Sequence, residues 1–233
     1  MTHAMEATID VIIPALNEAE AIAKVIHDLP GERLRNIVVV DNGSEDKTAE
    51  VAAASGAVVL HQPIRGYGAA CLMGIDYLKE QVEEPDVVVF IDGDYSDHPE
   101  ELPMLVAPIL DNSVDMVIGS RTLGKRTAGS LTPQQVFGNR LATVLLRWIY
   151  GYRFTDLGPF RAIRWSALVE LGMKDMNYGW TVEMQIKAAK QGLRCTEVPV
   201  SYRQRIGTSK VSGTVKGSIL AGYKILLTLF KYA

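Results

Sequence analysis

Long apolar runs are missing from this 233-residue chain. No stretch approaches the roughly eighteen uninterrupted apolar residues of a membrane-spanning helix, which leaves no candidate span. Cysteine is nearly absent: Cys71 and Cys195 are too few and too far apart for a disulfide framework or a thiolate metal site. The four histidines form no cluster; His3, His27 and His61 carry no metal pattern, and His98 reads as a helix-start residue. Repeats, low-complexity tracts and Pro/Ser-rich linkers are lacking too, so one domain is expected. The N-terminal apolar stretch from Ile9 to Ile13 contains Asp10 and has no basic flank, unlike a signal peptide. These absences together lead us to expect a cytoplasmic, reducing setting. What is present is core material: 48% of residues are apolar and 22% charged, which excludes disordered and fibrous chains.

The formal net charge of -3 conceals a split. Residues 1–120 hold 6 Lys+Arg against 22 Asp+Glu, and residues 121–233 hold 18 against 5, so the halves stand at -16 and +13. A basic half of this kind suits an anionic partner such as a phosphate, a nucleic acid or an acidic bilayer. Two solvated faces that neutralise each other in the fold are the alternative. Nucleic acid fits poorly, because no basic stretch is interleaved with aromatics as single-strand platforms are.

Short β-branched runs without polar alternation occur at Thr8–Ile13, Ile37–Val40, Ala57–His61, Val87–Ile91 and Met116–Ile118, the mark of strands buried on both faces. Amphipathic stretches lie between them at Glu20–Leu29, Asp46–Ala54, Gly68–Lys79 and Pro99–Leu110. This alternation predicts an α/β fold with a mostly parallel, doubly wound sheet. The second half predicts helices over Gln134–Tyr150, Thr181–Lys190 and Val215–Phe230, with strands at Phe160–Arg164 and Glu197–Tyr202. The loop Gly119–Thr132 is the candidate mobile segment.

Ligands of open parallel sheets bind at the carboxyl ends of the strands. Polar residues follow nearly every predicted strand here. Asp92-Gly93-Asp94 is the sharpest case, since two carboxylates after a buried strand suit Mg²⁺ or Mn²⁺ bridging a diphosphate; an Asp-Gly turn is the plain alternative. Asp41 could accept hydrogen bonds from a ribose or base, or cap the next helix with Ser44. Arg65-Gly66-Tyr67-Gly68-Ala69 opens a helix whose N–H groups could face a phosphate, although it is no dinucleotide fingerprint.

In order along the chain stand Ile13-Pro14-Ala15-Leu16-Asn17-Glu18, Val40-Asp41-Asn42-Gly43-Ser44, the Arg65–Ala69 turn, Asp92-Gly93-Asp94-Tyr95-Ser96 and Gly119-Ser120-Arg121. They are followed by Gly138-Asn139-Arg140, Asp156-Leu157-Gly158-Pro159-Phe160-Arg161, Trp180-Thr181-Val182-Glu183 and Arg205-Ile206-Gly207-Thr208-Ser209-Lys210. This series resembles the family 2 glycosyltransferases with the GT-A fold, the group that includes dolichol-phosphate mannose synthase and bacterial polyprenyl-phosphate glycosyltransferases. The resemblance covers roughly residues 8–212, leaving 213–233 as a separate C-terminal helix. It implies that Pro14, Asn17, Glu18, Asp41 and Gly68 line the donor pocket. Asp92, Gly93, Asp94 and Ser96 would lie at the metal and diphosphate, with Arg205 and Lys210 closing on the donor's phosphates. Arg121, Arg140 and Glu183 would face the acceptor, with a surface or partner-paired acid the plain alternative for Glu183, and Asp156 would lie near the reacting sugar, so that Asp94, Arg121 and Asp156 carry the catalysis. Three departures stand out: Asn42 replaces the second aspartate of an Asp-Asp pair, Leu157-Gly158-Pro159 alters a Ser-Gly-Phe-Arg block, and Asp97-His98 replaces an aromatic or histidine beside the metal motif.

The implied reaction is inverting transfer of a hexose from a GDP- or UDP-linked sugar to a polyprenyl (dolichol-type) phosphate. The alternatives are a soluble transferase with a small hydroxyl acceptor, for which Asp156 would be the base, and a non-catalytic nucleotide-sugar-binding subunit. Asp156 could equally be a structural partner of Arg161 or Arg153. Residues 194–233 carry seven basic side chains against Glu197 alone. Their last helix, apolar but broken by Lys224, could lie in the interface of an anionic membrane or pack as ordinary core.

Overall fold

Strand residues that are apolar on both faces must be covered from both sides, and the chain achieves this with helices before and behind one sheet. The computed structural model describes residues 7–207 and 215–232, with side chains of 215–221 outside the description. Strands β1 (Ile9–Ala15), β2 (Leu34–Asp41), β3 (Val58–His61), β4 (Val87–Phe90), β5 (Met116–Ser120), β6 (Arg161–Arg164) and β7 (Cys195–Pro199) form one sheet in the order β3-β2-β1-β4-β6-β5-β7. Only β6 runs antiparallel to its neighbours. Asp10, the acid within the first apolar run, is fully buried and answered from β2 by Arg35 and by the Asn36 amide N–H at 3.0 Å.

The helices are α1 (Ile22–Asp28), α2 (Thr48–Ala54), α3 (Tyr67–Lys79), α4 (Leu102–Leu110), α5 (Pro133–Tyr150), α6 (Trp165–Leu171), α7 (Trp180–Lys190) and α8 (Val215–Lys231). On one face of the sheet Ile12, Val38, Phe90 and Ile163 pack under α3, α5 and α7, with Phe90 edge-on to Trp180 at 5.8 Å. On the other, Val11, Ile13, Val89 and Val117 pack under α1 and α4. Each such aliphatic side chain contributes about 1.5–3 kcal/mol by leaving water. Among the described residues no helix is long and apolar enough to cross a membrane.

The predicted strands all appear, within a few residues at their ends. Helix α6 was not anticipated: its seven residues follow β6 without a turn signal. The segment expected to be mobile is tied down by Tyr202, which exchanges backbone hydrogen bonds with two of its residues (Thr127 N–H to Tyr202 O 2.9 Å, Tyr202 N–H to Lys125 O 2.9 Å). Gly124 lies so close to this partner that a Cβ there would sit 1.9 Å from the Val200 carbonyl.

The chain winds outward from β1 to β3, then crosses back to β4 beside β1. Between β1 and β4 the connections therefore diverge, opening a crevice at their carboxyl ends. Both cavities described below lie there.

Candidate functional site

The larger cavity, about 500 Å³, lies over the carboxyl ends of β1, β2 and β4. Pro14, Asn17, Glu18, Asn42, Gly93 and Arg65 contribute to its walls, with Asp92 and Asp94 at its inner end. Asn17 sits at φ 54°, a left-handed turn that asparagine tolerates, and its side-chain oxygen accepts from the Glu45 N–H at 2.7 Å. Asn42 holds the next wall: its amide donates to the carbonyls of Ile64 (2.7 Å) and Gln62 (3.2 Å) and its oxygen accepts from the Gly66 N–H (2.7 Å). An aspartate could not make the two donations, so the departure at position 42 has a structural reason.

The two acidic residues of the Asp-Gly-Asp turn differ in surroundings. Asp94 is buried; its Oδ1 accepts from the Ser96 N–H (2.9 Å) and hydroxyl (2.5 Å), and its Oδ2 meets Arg205 at 3.1 Å. Ser96 thus orients Asp94 and has its hydroxyl turned to that carboxylate. Asp92 Oδ1 is shielded from solvent without a hydrogen-bond partner, and burial, with the nearby Asp94 charge, pushes its carboxyl up to about 7. An orphaned carboxylate oxygen beside a second carboxylate is a donor set that fits a hard divalent cation. Among the described residues no group of three or more His, Cys, Asp or Glu forms a metal cluster, so further ligands would be phosphate oxygens and water. Arg205 reaches over this end, bonding Glu18 at 2.6 Å as well as Asp94. Lys210 lies outside the described residues.

A second cavity of about 350 Å³ shares Asp92, Asp94 and Arg205 with the first and continues toward α5 and α8. Arg121 is its other cation, and Leu131, Leu157, Pro159 and Ile225 make its walls apolar. Arg121 grips Asp156 with Nε to Oδ2 (2.9 Å) and Nη2 to Oδ1 (2.6 Å), and its N–H adds a third bond at 2.8 Å. Burial opposes the guanidinium charge and Asp156 more than offsets this, keeping it protonated. The Tyr202 ring lies 5.1 Å from the guanidinium carbon.

Asp156 itself is held from every side. Glu197 accepts its N–H at 3.1 Å, Gln185 donates to its carbonyl at 2.9 Å, and Asn139 brackets the turn through Thr155 O (3.0 Å) and the Leu157 N–H (2.8 Å). Arg161 is fully buried, its guanidinium donating to the carbonyls of Gly158 and Thr181 at 3.0 Å each; burial lowers it to about 10. Asp97, behind the Asp-Gly-Asp turn, is buried with both oxygens unpartnered, and burial together with Asp92 keeps its carboxyl well above the usual range.

Several sequence expectations need correction. Asp156 pairs with neither Arg161 nor Arg153 but with Arg121, and it opens into neither cavity. Glu183 follows its partner-paired alternative: fully buried, it accepts from the Lys174 and Asp175 N–H groups, Lys187 (2.8 Å) and the Tyr232 hydroxyl (2.7 Å), so it fastens α7 to Tyr232 instead of facing an acceptor. Arg140 is exposed on α5, outside both cavities, while its neighbours Gly138 and Asn139 line the second. Asp41 stays below the first cavity, accepting from the Ser44 N–H at 3.0 Å. Gly68 serves close packing: a Cβ there would sit 1.9 Å from the Asp175 carbonyl, and the Ala69 N–H is taken by Met176 O. Asn139, Gln185 and Glu197 were missed as a set. Only Gly138-Asn139-Arg140 and the acid in a basic tail hinted at them.

Comparison with known proteins fits this geometry. The profile of glycosyl transferase family 2 matches residues 10–172. An uncharacterized glycosyltransferase of Mycobacterium tuberculosis is 38% identical over 219 residues, covering 91% of this chain and 94% of the relative. The undecaprenyl-phosphate mannosyltransferase of Micrococcus luteus is 33% identical over 232 residues, covering 88% of each. Among solved structures, glucosyl-3-phosphoglycerate synthase from Mycobacterium tuberculosis, in complex with Mn²⁺, UDP and glucosyl-3-phosphoglycerate, matches at TM-score 0.77 and 24% identity over 97% of this chain and 80% of that one. The shared architecture is the GT-A fold.

Proposed function

The chain belongs to glycosyl transferase family 2, and on that premise we propose that it transfers a hexose, with inversion, from a nucleoside-diphosphate sugar to a polyprenyl phosphate. The observation that carries this reading is the second cavity, in which the Arg121 and Arg205 cations meet apolar walls that run out between α5 and α8. A phosphate on an aliphatic chain has that combination of properties. The undecaprenyl-phosphate relative supports the same acceptor class.

The donor nucleotide would occupy the first cavity along Pro14, Asn17 and Glu18, with its diphosphate toward Asp92, Asp94 and Arg205. Asp92 and Asp94 would hold Mg²⁺ or Mn²⁺, which when bound neutralises charge on the leaving diphosphate. The neighbouring structures carry Mn²⁺ with UDP or UDP-glucose, which favours a divalent cation and a pyrimidine donor over GDP. In the transfer, an acceptor phosphate oxygen bonds to the anomeric carbon as the bond from that carbon to the diphosphate oxygen breaks on the opposite face. A phosphate monoester has a second pKa of about 6, so it attacks as the dianion and no side chain need remove a proton. Arg121 fits the task of holding that dianion, and Asp156 that of fixing Arg121. With both carboxylate oxygens engaged, Asp156 is poorly suited to act as a base toward a hydroxyl acceptor.

A small phosphorylated acceptor is the second reading, favoured by the phosphoglyceric acid in a neighbouring structure. The test is incubation with a panel of UDP- and GDP-sugars and Mn²⁺, offering polyprenyl phosphate and 3-phosphoglycerate in separate reactions and identifying products by mass. A glycosylated polyprenyl phosphate is the expected product. Transfer to phosphoglycerate alone would replace the first reading by the second.

A further inference from the structure

Helix α5 is apolar on the wrong side. A Thr132 capping box and Pro133 start it, and Gly151 at φ 72° ends it, so the whole helix is well defined. Its core contacts come from Ala142, Thr143 and Leu146. Roughly half a helical turn away stand Phe137, Leu141, Val144 and Trp148, spaced four, three and four residues apart and facing outward. Phe137 is 68% and Trp148 81% exposed. Helix α8 repeats the arrangement: Thr228 and Leu229 are buried, and Tyr223, Leu227 and Phe230 lie on the far side. The two helices pack together and their ends are joined by the Tyr150 hydroxyl donating to the Leu229 carbonyl. Since both turn their buried residues to the same core, both stripes face away from it.

Exposed patches of this breadth mark an interaction surface. Its charge selects the occupant. The helices contain Arg140, Arg147, Lys216, Lys224 and Lys231 and not one Asp or Glu. Lys224 is engaged by Asp175 at 3.0 Å, whereas Arg140, Arg147 and Lys231 are exposed. A second copy of the chain would bring like charges face to face. An anionic lipid surface would receive the aromatic side chains at headgroup depth and the basic ones beside phosphates. The second cavity opens between these helices, through Gly138 and Asn139 of α5 and Gly222 and Ile225 of α8.

We infer that the paired outer faces of α5 and α8 dock the protein on an anionic bilayer, with the second cavity turned to the membrane. The inference depends on the polyprenyl-phosphate reading for its purpose and not for its geometry. It extends the sequence expectation, which considered α8 alone.

Trp148 reports on the contact, because Trp165 and Trp180 are buried. Phosphatidylglycerol vesicles at low ionic strength should sediment the protein and shift its fluorescence to the blue, and phosphatidylcholine vesicles should do neither. The double variant Phe137→Glu/Phe230→Glu, which keeps Trp148, should weaken vesicle binding roughly tenfold or more. The variant should retain the near-UV circular dichroism of the parent and its turnover of a water-soluble short-chain isoprenyl phosphate. Absence of binding to phosphatidylglycerol would overturn the inference. So would a dimer in analytical ultracentrifugation that the double variant converts to monomer. Vesicle binding without any transfer to the isoprenyl phosphate would instead remove the acceptor reading and leave the docking surface standing.

Discussion

Arg121 and Asp156 stand 35 residues apart in sequence and share a bidentate ion pair, with the side chain of Asp156 1% exposed and that of Arg121 13%. A pair this buried is costly to break by removing one member, because the other charge is stranded; the penalty is about 3–5 kcal/mol. Asp156→Ala should therefore lower the unfolding free energy measured by urea titration by an amount of that order. Arg121→Lys keeps a charge but loses the fork that meets both carboxylate oxygens. Its expected kinetic signature is an apparent KM for the phosphate acceptor raised roughly tenfold or more, with the nucleotide-sugar KM changed by less than about twofold. Equal changes in both constants would place Arg121 at the donor.

Asn42 gives a second prediction, which runs against family resemblance. Restoring the commoner acid with Asn42→Asp should damage the protein, since two carbonyls, of Gln62 and Ile64, lose their donor and face a carboxylate instead. Leaving buried acceptors unpaired costs on the order of 1–3 kcal/mol. The donor-side wall should also loosen, so nucleotide affinity measured by calorimetry should fall while acceptor KM holds. A variant as stable as the parent would show that this network contributes little.

The residues whose placement was readable from sequence are those that lie at the end of their own strand. Asp92, Asp94, Pro14 and Asn17 follow runs whose burial on both faces is written in consecutive Val and Ile, and the sheet rule then puts them at one edge. Partner choice was not readable. Nothing local to Asp156 says that it binds Arg121 and not the nearer Arg153 or Arg161, nor that Glu197 and Gln185 come from β7 and α7 to hold its backbone. Glu183 misled for the complementary reason: a motif position says where a residue sits in the chain and not how many donors surround it. Gly68 misled because a glycine required for phosphate approach and one required by a crossing carbonyl look the same in sequence.

Glu183 also predicts a pH dependence. Its carboxyl is buried, which alone would raise its pKa, but the Lys187 and Tyr232 hydrogen bonds and the two backbone N–H groups outweigh this and hold it below the ordinary 4.5. A lowered folded-state pKa stabilises the protein above 4.5, and this contribution disappears as the pH falls through the folded value. Urea midpoints measured from pH 6 downward should fall more steeply for the parent than for Glu183→Gln. The variant should be the less stable of the two at neutral pH, with the gap closing in acid. Parallel curves would mean that the carboxylate is not what α7 relies on.

Arg205 occupies the position from which a cation's charge would act on Asp94: its guanidinium lies 3.1 Å from Asp94 Oδ2 and 2.6 Å from Glu18 Oε1. A divalent ion approaching Asp92 and Asp94 without nucleotide therefore meets a like charge and a carboxylate oxygen already engaged. On the proposed reading, a bound nucleotide's diphosphate would offer Arg205 another anion and leave Asp94 available. The two situations predict opposite responses to Arg205→Gln. Mn²⁺ alone should bind the variant more tightly, by roughly tenfold if the repulsion removed is near 1.4 kcal/mol. A nucleoside diphosphate with Mn²⁺ should bind it more weakly, and turnover should drop, because the cation that would face the diphosphate is gone. Asp94→Asn supplies the control, abolishing turnover and Mn²⁺ binding in a folded protein, as EDTA should do reversibly to the parent. Weaker binding of Mn²⁺ alone to Arg205→Gln would mean that the guanidinium organises the carboxylates for the ion instead of competing with it.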